Sequence, residues 1–486
     1  MTEGNKGLPE FHPQTVLRDW GGGQAFRLAD AQTGVCVFGA TGSGKTSGPA
    51  KHLAYGYLAA DFGGLVLCAK KEERRQWEQW AADCGRSDDL VIVDSQGKWR
   101  FNFLEWEASR PEEGGGLTIN IVAILDEIAG AIASSASKAD GGGDNKFWDD
   151  ALHHMNTNLV DLPIFAGLQV SLPLMRSIIN SAPQSLEQLA DPKWQESSAC
   201  AAIIREADKA TLKADPDIRA DFEECRNYWL QEYPVLSEKT RSIITLTFSM
   251  MVRPLITRPL RKLFSSDTTI KPEDAFDGKI IIIDLPVQEY RLAGRLANLA
   301  WKYCFQVAVL RRTQPPQGYL RPVFLWADEA QNFVTAFDAE YQAVARSAGG
   351  CTVFLTQNRE SYRRVLKNDD GVDSLLGNLQ AKFFCQNSGD TNEWASKLLG
   401  ERWLKVTSTN VGQQSHDRSQ DQTPHSSGVS RSEQKRLFVE AAAFTTLKRG
   451  GEKHHYQVEA IVYNGGNLFP NGAETLPYKL LTFNQR

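Results

Sequence analysis

The stretch GVCVFGATGSGKT, residues 34–46, decides the fold of this 486-residue chain. Its first five residues, Gly34 to Phe38, are apolar and include two valines, which predicts a buried strand. The next eight, Gly39 to Thr46, fit the pattern GxxxxGK[ST], and helix-length sequence follows them. Glycines let successive backbone N–H groups curl around an anion, and the following helix N-terminus adds partial positive charge. The stretch therefore predicts a strand, a phosphate-binding loop and a helix.

The residue types of this loop predict binding of ATP and Mg²⁺. Lys45 would reach the β- and γ-phosphates, and the hydroxyl of Thr46 would be a ligand of Mg²⁺. The rest of the nucleotide-binding loop would be Gly39, Thr41, Gly42, Ser43 and Gly44. The alternative is a glycine turn with a chance lysine, which the setting between a strand and a helix disfavours.

Six further runs predict strands that are buried on both faces. Each is short, apolar and rich in β-branched or aromatic residues, which is typical of a parallel sheet covered by helices. The runs are 64–68, 90–94, 279–284, 323–328, 351–356 and 381–385. Helix-length segments separate most of them, so the expected class is α/β, a doubly wound, mostly parallel sheet of the RecA-like P-loop NTPase type. Alternation of polar and apolar residues predicts one more strand, near the C-terminus, within 455–466.

The middle of the chain departs from this pattern. No convincing strand occurs between about residue 102 and residue 279, whereas apolar stripes at helical spacing do. We therefore expect an all-α domain at 146–240, and Ser237 as the N-cap of a helix near its end. The expected nucleotide-binding domain is split into 1–145 and 241–486. Within the second part, residues 407–435 contain only two apolar residues, both valines, and predict a flexible loop.

Two adjacent acids lie at the end of the predicted strand VFLWAD. Asp328 and Glu329 would emerge at its carboxyl end, where open α/β sheets bind their ligands. Asp328 would hold Mg²⁺ through water, and Glu329 would polarise the water that attacks the γ-phosphate. The competing interpretation is a helix N-cap followed by a first-turn charge.

Two further candidates flank the strand at 351–356. Gln357 follows it directly, and its amide could hydrogen-bond the γ-phosphate or the attacking water. Arg346 precedes it, just before two glycines, and could stabilise the charge of the transition state when a neighbouring subunit delivers it. The competing interpretations are a polar residue in a loop for Gln357 and a solvated cation at a helix end for Arg346.

Composition excludes several classes of protein. With 42% hydrophobic and 23% charged residues, the chain is expected to be globular rather than disordered or fibrous. No run approaches the roughly 18 apolar residues of a membrane span, and the first residues lack the layout of a signal peptide, so we expect a cytoplasmic protein. The net charge of -5 neither supports nor excludes DNA as a partner.

Several motifs together resemble the type IV coupling proteins, the conjugative DNA-transfer ATPases of the FtsK/HerA superfamily. The resemblance covers most of the chain and rests on the order of the motifs as well as on the phosphate loop. The matching segments are GATGSGKT (39–46), RFNFLEW (100–106), KFWDDAL (146–152), WADEAQNF (326–333), ARSAGGCTVFLTQN (345–358) and NSGDTNEWASKLLG (387–400).

The resemblance implies properties that the residues alone do not show. Proteins of this family form hexameric rings, bind nucleotide between subunits and move DNA or nucleoprotein through a central channel. It implies that Arg346 acts in trans as an arginine finger, and that the all-α domain recognises a relaxosome partner. This sequence departs from the family in showing no transmembrane helices, so attachment to the inner membrane would be peripheral and through partners. It also has Ala69 before Lys70, where many relatives have an acidic residue.

The leading hypothesis is an oligomeric ATPase that recruits and translocates DNA or nucleoprotein. The alternative is a nucleotide-gated adaptor that recruits a protein partner through the all-α domain without translocation. A small-molecule kinase fits less well, because the Asp–Glu pair and Gln357 suit attack by water. The cationic cluster Arg363, Arg364 and Lys367 could contact DNA phosphates, but a solvated helix face is the favoured explanation.

Overall fold

The computed structural model describes residues 5, 7–21, 23–135, 144–412, 426–472 and 474–486. Fifteen strands lie in these residues. They are β1 (Val16–Gly21), β2 (Gln24–Arg27), β3 (Val35–Phe38), β4 (Gly63–Leu67), β5 (Leu90–Val93), β6 (Ile280–Ile283), β7 (Val323–Ala327), β8 (Gly350–Thr356), β9 (Ala381–Phe384), β10 (Glu401–Gly412), β11 (Ser426–Leu437), β12 (Gln457–Asn464), β13 (Phe469–Asn471), β14 (Glu474–Leu476) and β15 (Tyr478–Asn484).

Nineteen α-helices lie in the same described residues. They are α1 (Leu28–Ala31), α2 (Lys51–Ala59), α3 (Glu72–Asp83), α4 (Phe103–Ala108), α5 (Thr118–Ser135), α6 (Asp144–Phe165), α7 (Leu172–Ser181), α8 (Leu186–Leu189), α9 (Pro192–Ser197), α10 (Ala199–Thr211), α11 (Pro216–Asn227), α12 (Glu238–Ile256), α13 (Leu260–Phe264), α14 (Val287–Leu310), α15 (Phe337–Val344), α16 (Arg359–Leu366), α17 (Asp369–Asn378), α18 (Asp390–Leu399) and α19 (Ala441–Thr445).

A nine-stranded sheet organises the molecule, in the order β15-β12-β9-β3-β8-β7-β4-β6-β5. The seven strands from β9 to β5 are all parallel, and β12 alone runs against its neighbours β9 and β15. The expected doubly wound, mostly parallel α/β sheet is confirmed, including the late strand, which is β12.

Both faces of this sheet are buried, as the continuous apolar runs predict. In β3, Val35 and Val37 pack on one face with the core around α2 and α3. Cys36 and Phe38 point to the other face and join the core that continues into the helical part of the chain. A parallel sheet covered on both sides favours apolar side chains at nearly every position, and all four residues of β3 are fully buried.

The middle of the chain is helical, as expected. No strand occurs in the described residues between β5 and β6, and the helices there run from Phe103 to Phe264. Ser237 caps α12, because its hydroxyl accepts a hydrogen bond from the backbone N–H of Thr240 at 3.0 Å. The helical run extends beyond 146–240 on both sides, and the proposed domain limits stay a prediction.

The segment predicted to be a flexible loop differs in the structure. β10 and β11 pair as an antiparallel hairpin from Glu401↔Leu437 to Gly412↔Ser426, so the ladder takes up both ends of 407–435. Residues 413–425, the middle of the predicted loop, lie outside the described residues. Most residues of this hairpin are polar and the side chain of Trp403 is 67% exposed, so no apolar run in the sequence marks its strands.

Among the described helices, none combines the length and the apolarity that a membrane span requires.

Candidate nucleotide site

Four adjacent strands of the sheet end at the predicted site. In the order β3, β8, β7 and β4, their carboxyl ends lead into the phosphate loop, Gln357, Asp328 and the segment that begins with Cys68. Parallel strands bring these ends to one edge of the sheet, where open α/β folds bind ligands. Residues that are up to about 310 positions apart in sequence therefore lie together.

The phosphate loop has the conformation that its glycines predict. Gly42 and Gly44 adopt φ of +73° and +83°, in the left-handed region that residues with a Cβ disfavour. A Cβ on Gly44 would collide with the side chain of Val458 on β12 and approach the carbonyl of Arg449 to 2.9 Å. The antiparallel strand β12 thus packs directly against the loop and fixes its position.

The loop has the donors that a phosphate chain needs. The backbone N–H groups of Gly42, Gly44, Lys45 and Thr46 make no hydrogen bond within the described part of the chain. The buried hydroxyl of Ser43 likewise has no partner there. Unpaired donors around a glycine loop at a helix start fit an anion with several oxygens, so the residues present fit the triphosphate of a nucleotide.

Thr46 and Asp328 form the predicted metal-binding pair. The Thr46 hydroxyl donates a hydrogen bond to Asp328 Oδ2 at 2.7 Å, across the gap between β3 and β7. The other carboxylate oxygen of Asp328 accepts from the backbone N–H of Glu329 at 2.8 Å. A hydroxyl and a carboxylate beside a phosphate loop are the oxygen donors that Mg²⁺ uses with a nucleotide, so the two side chains fit this ion.

Glu329 lies between two lysines. Its Oε1 is 2.7 Å from Lys70 Nζ and 3.6 Å from Lys45 Nζ. Burial alone would raise the pKa of the Glu329 carboxyl, but the hydrogen bond from Lys70 and the charge of Lys45 outweigh it, and the pKa is lowered to about 2. Glu329 is therefore ionised at neutral pH, as a group that accepts a proton from water must be.

The backbone and two glutamines fix the direction of the Glu329 carboxylate. Glu329 has φ of +51°, which is a costly conformation for a residue with a side chain. Its Oε2 accepts hydrogen bonds from the side-chain amide of Gln331 at 2.8 Å and from that of Gln357 at 3.4 Å. Strain in a well-packed residue at a strand end is typical of functional sites.

The backbone of Gln357 is held in place by a side chain that follows β9. The backbone carbonyl of Gln357 accepts a hydrogen bond from the side-chain amide of Asn387 at 2.6 Å. Asn387 follows β9, the strand on the far side of β3 from β8. The structure therefore brings Lys45, Thr46, Asp328, Glu329 and Gln357 together.

Sequence reasoning missed Lys70 as a member of this site. It follows β4, and only the strand order β7-β4 shows that its ammonium meets Glu329. Burial works against the charged form of Lys70, but the charges of Asp328 and Glu329 outweigh burial, and the net effect is a raised pKa. A lysine just after the second strand of the sheet was the available signal. Nothing in the sequence said which strand would be its neighbour.

Arg346 lies at the opposite end of β8 from the nucleotide site. It belongs to a short 3₁₀ turn, Ala345–Ala348, that precedes β8, whereas Gln357 follows the same strand. At about 3.3 Å per residue, the seven residues of β8 put the two ends of the strand about 20 Å apart. Arg346 lines an open cleft of about 670 Å³ together with Gln32 and Tyr319. It does not join the phosphate site of its own chain.

Comparison with solved structures finds this fold in the bacterial conjugative coupling protein TrwBdeltaN70. The trigonal form with sulphate gives a TM-score of 0.63 at 15% identity, over 98% of this chain and 90% of that chain. The chain has the fold of a conjugative coupling protein. TrwB with ADP and Mg²⁺ gives 0.59 at 15% identity, over 98% and 89%. TrwB with the ATP analogue ADPNP gives 0.57 at 16% identity, over 98% and 91%.

A family model matches one part of the chain. Residues 322–449 match the model described as the TraM recognition site of TraD and TraG. This segment contains β7, β8 and β9 and therefore Asp328, Glu329 and Gln357. A search of curated proteins finds no match. The resemblance to type IV coupling proteins that the motifs predict is confirmed.

Proposed function

We propose that this protein is an Mg²⁺-dependent ATPase that acts as a coupling protein in DNA transfer. The observation that carries the proposal is the convergence of Lys45, Thr46, Asp328, Glu329 and Gln357 on one edge of the sheet. A phosphate loop with one carboxylate for the metal and another for water is what hydrolysis of a nucleoside triphosphate needs. The nucleotide complexes of TrwB, which has the same fold, support this proposal.

Each side chain has a distinct role in the proposed reaction. The loop amides and Lys45 bind the phosphates, and Thr46 and Asp328 hold Mg²⁺, which neutralises the charge of the phosphates. Glu329 orients the attacking water and accepts its proton, while Gln357 fixes the carboxylate of Glu329.

We propose that the active form is a ring of six copies, as the resemblance to the family implies, in which Arg346 completes the site of a neighbouring copy. Its separation from Gln357 along β8 excludes a role within its own site, because a guanidinium reaches only a few ångströms beyond its backbone. A cation from a second chain would stabilise the charge that develops on the γ-phosphate. The site within one chain would then bind ATP and turn it over slowly.

The proposed cargo is DNA or nucleoprotein, recruited in the cytoplasm and at the inner membrane through partners. Two segments are candidates for recruiting a relaxosome protein: the helices of the all-α region, and residues 322–449, whose family model is named for TraM recognition. The alternative function, a nucleotide-gated adaptor, uses the same ATP site but requires no movement along DNA. The water-activating geometry around Glu329 favours turnover over a passive switch.

Measurement of ATP hydrolysis with and without DNA tests the proposal. We expect Lys45→Ala to lose nucleotide binding, because it removes the ammonium that meets the phosphates. Glu329→Gln should keep nucleotide binding and slow turnover by about 10²-fold or more, because an amide cannot accept the proton. Lys71→Ala is the control, since Lys71 is exposed and lies next to Lys70 in the chain.

Two results would contradict the proposal. Normal turnover by Glu329→Gln would remove Glu329 from the reaction. Hydrolysis that no nucleic acid stimulates, together with an assembled ring, would favour the adaptor function over a motor.

A further inference from the structure

An apolar groove with a cationic rim lies between the end of α12 and the start of α14. It has a volume of about 500 Å³, and we call it the arginine groove. Its defining residues are Met250, Arg253, Arg258, Tyr290 and Leu292. None of them takes part in the nucleotide site, and the motifs discussed above do not include them.

The sequence around α12 is strongly one-sided in charge. Residues 239–266 contain six lysines and arginines and no aspartate or glutamate. Arg253, Arg258 and Arg261 are exposed, and within the described chain none of the three has a carboxylate at ion-pair distance. By contrast, Arg219 and Arg226 in the helix α11 both pair with Glu223 and Asp208. Exposed arginines without acidic partners are complementary to a polyanion.

The floor of the groove is apolar. Met250 and Leu292 are 54% and 40% exposed, and the ring of Tyr290 is half-buried beside them. Single-stranded nucleic acid combines a chain of phosphates with unpaired bases that pack on apolar and aromatic side chains. A duplex would offer the phosphates but keep its bases stacked inside. The combination of rim and floor therefore favours a single strand.

The wall of the groove is connected to the ATP site. The backbone N–H of Gln288, in the first turn of α14, donates a hydrogen bond to the carbonyl of Ala69 at 3.1 Å. Ala69 immediately precedes Lys70, whose ammonium meets Glu329. Between Tyr290 and Leu292, Arg291 adopts φ of +51° and ψ of -128°, which interrupts the helix and is strained for a residue with a Cβ. Such strain marks functional segments more often than passive ones.

We propose that the arginine groove binds single-stranded nucleic acid, with Arg253 and Arg258 on phosphates and the apolar floor against bases. The inference rests on the proposed function, since it locates part of the cargo path of that motor. It also predicts how bound cargo affects the ATP site. A nucleic-acid strand in the groove contacts the start of α14, which is hydrogen-bonded to Ala69.

Fluorescence anisotropy with a labelled oligothymidylate, at several salt concentrations, tests the groove. The full chain carrying Arg253→Gln and Arg258→Gln should bind about 10- to 100-fold more weakly than the unmodified chain. The slope of log K against log salt should become shallower by about 1.4, because each single-strand phosphate contact contributes about 0.7. The matched control is Arg205→Gln with Lys209→Gln, which removes the same charge from the exposed face of α10. It should bind like the unmodified chain.

Three outcomes would overturn the inference. The first is an unchanged affinity and slope in the groove variant, or no oligonucleotide binding by the unmodified chain. The second is equal binding of inorganic polyphosphate and oligothymidylate, which would mean that the apolar floor contacts no bases. The third is a groove variant that binds DNA normally but loses assembly in sedimentation or binding to phosphatidylserine vesicles. The groove would then be a subunit contact or a lipid site.

Failure of the groove and failure of the proposed function give different results. DNA-stimulated ATP hydrolysis together with unaffected binding by the groove variant would reject the groove alone. Arginine-dependent oligonucleotide binding by a chain that hydrolyses no ATP would reject the motor and keep the groove.

Discussion

Glu329 shows how one side chain can be both buried and ionised. Desolvation opposes its negative charge, and the ammonium groups of Lys70 and Lys45, at 2.7 and 3.6 Å, reverse that effect together with the amide of Gln331. Lys45 is also the side chain that meets phosphate in the proposed reaction, so the nucleotide competes with Glu329 for it. Lys70 has no such second task. It is therefore a positioning residue that keeps the water-activating carboxylate ionised and holds its Oε1, while the two glutamines hold Oε2.

Replacing Lys70 should shift the pH profile of the reaction. Lys70→Met removes the hydrogen bond that lowers the pKa of Glu329, while burial continues to raise it. We expect the acidic limb of kcat/KM to move to higher pH by about 1 to 3 units, since an adjacent opposite charge shifts a carboxyl pKa by that amount. The measurement is ATP hydrolysis from the lowest pH at which the chain stays folded up to about pH 9, so that the acidic limb of the variant is compared with that of the unmodified chain. Lys71→Met serves as the control, and an identical limb in both variants would contradict the role of Lys70.

The same pKa has a consequence for stability at low pH. The pKa of Glu329 is lower in the folded chain, at about 2, than its ordinary value of 4.5. Its ionised form therefore stabilises the fold fully above about pH 4.5, and this contribution is lost as the pH falls towards 2. Lys70→Met should reduce that contribution, so its unfolding should depend less steeply on pH across this window.

The strands of the central sheet are easier to predict from the sequence than those of the β10–β11 hairpin. The strands of the parallel sheet are apolar on both faces, so their runs were readable and β3, β7 and β9 lie within a residue of their predicted limits. The hairpin of β10 and β11 was not readable from the sequence, because most of its residues are polar. Burial, rather than pairing, is what produces a pattern in the sequence.

The structure confirms the predicted N-cap of α12, Ser237. A substitution can measure how much this cap stabilises the fold. Ser237→Ala removes the hydroxyl that accepts the backbone N–H of Thr240, and we expect a loss of about 1 kcal/mol in the free energy of unfolding. Urea denaturation followed by circular dichroism gives the value. Ser242→Ala, in the exposed interior of the same helix, is the control and should be neutral or slightly stabilising. Equal effects of the two substitutions would argue against capping.

In the molecule as a whole, strand order is what the sequence could not provide. Motif order placed Lys45, Asp328, Glu329 and Gln357 at strand ends, and parallel strands share one edge, so most of the site was predictable. Lys70 required the knowledge that β4 lies beside β7. The role of Arg346 depends on a second chain and stays a prediction.

The long helix α14 packs between the helical region and the central sheet. Its buried Lys302 allows the contact between α14 and α15 to be tested. Lys302 Nζ is fully buried and lies 2.5 Å from Asp338 Oδ2, on the helix that precedes β8. Asp338 also accepts hydrogen bonds from the side chain of Gln306 and the backbone of Thr335, both at 2.7 Å. On the helical side, burial raises the pKa of Glu127 in α5, and the charge of Lys302 opposes that shift.

Removing one partner of this pair should therefore cost far more than removing both. Lys302→Met leaves the Asp338 carboxylate buried and without its cation, and we expect a loss of about 3–5 kcal/mol in the free energy of unfolding. The double variant Lys302→Met with Asp338→Leu should recover a large part of it, because no buried charge remains. Lys209→Met is the control, since its pair with Glu206 is exposed and is worth at most about 1 kcal/mol. A double-mutant cycle by urea denaturation gives the coupling energy between Lys302 and Asp338. If the double variant loses the sum of the two single losses, the pair does not connect α14 to α15, and packing alone holds these layers together.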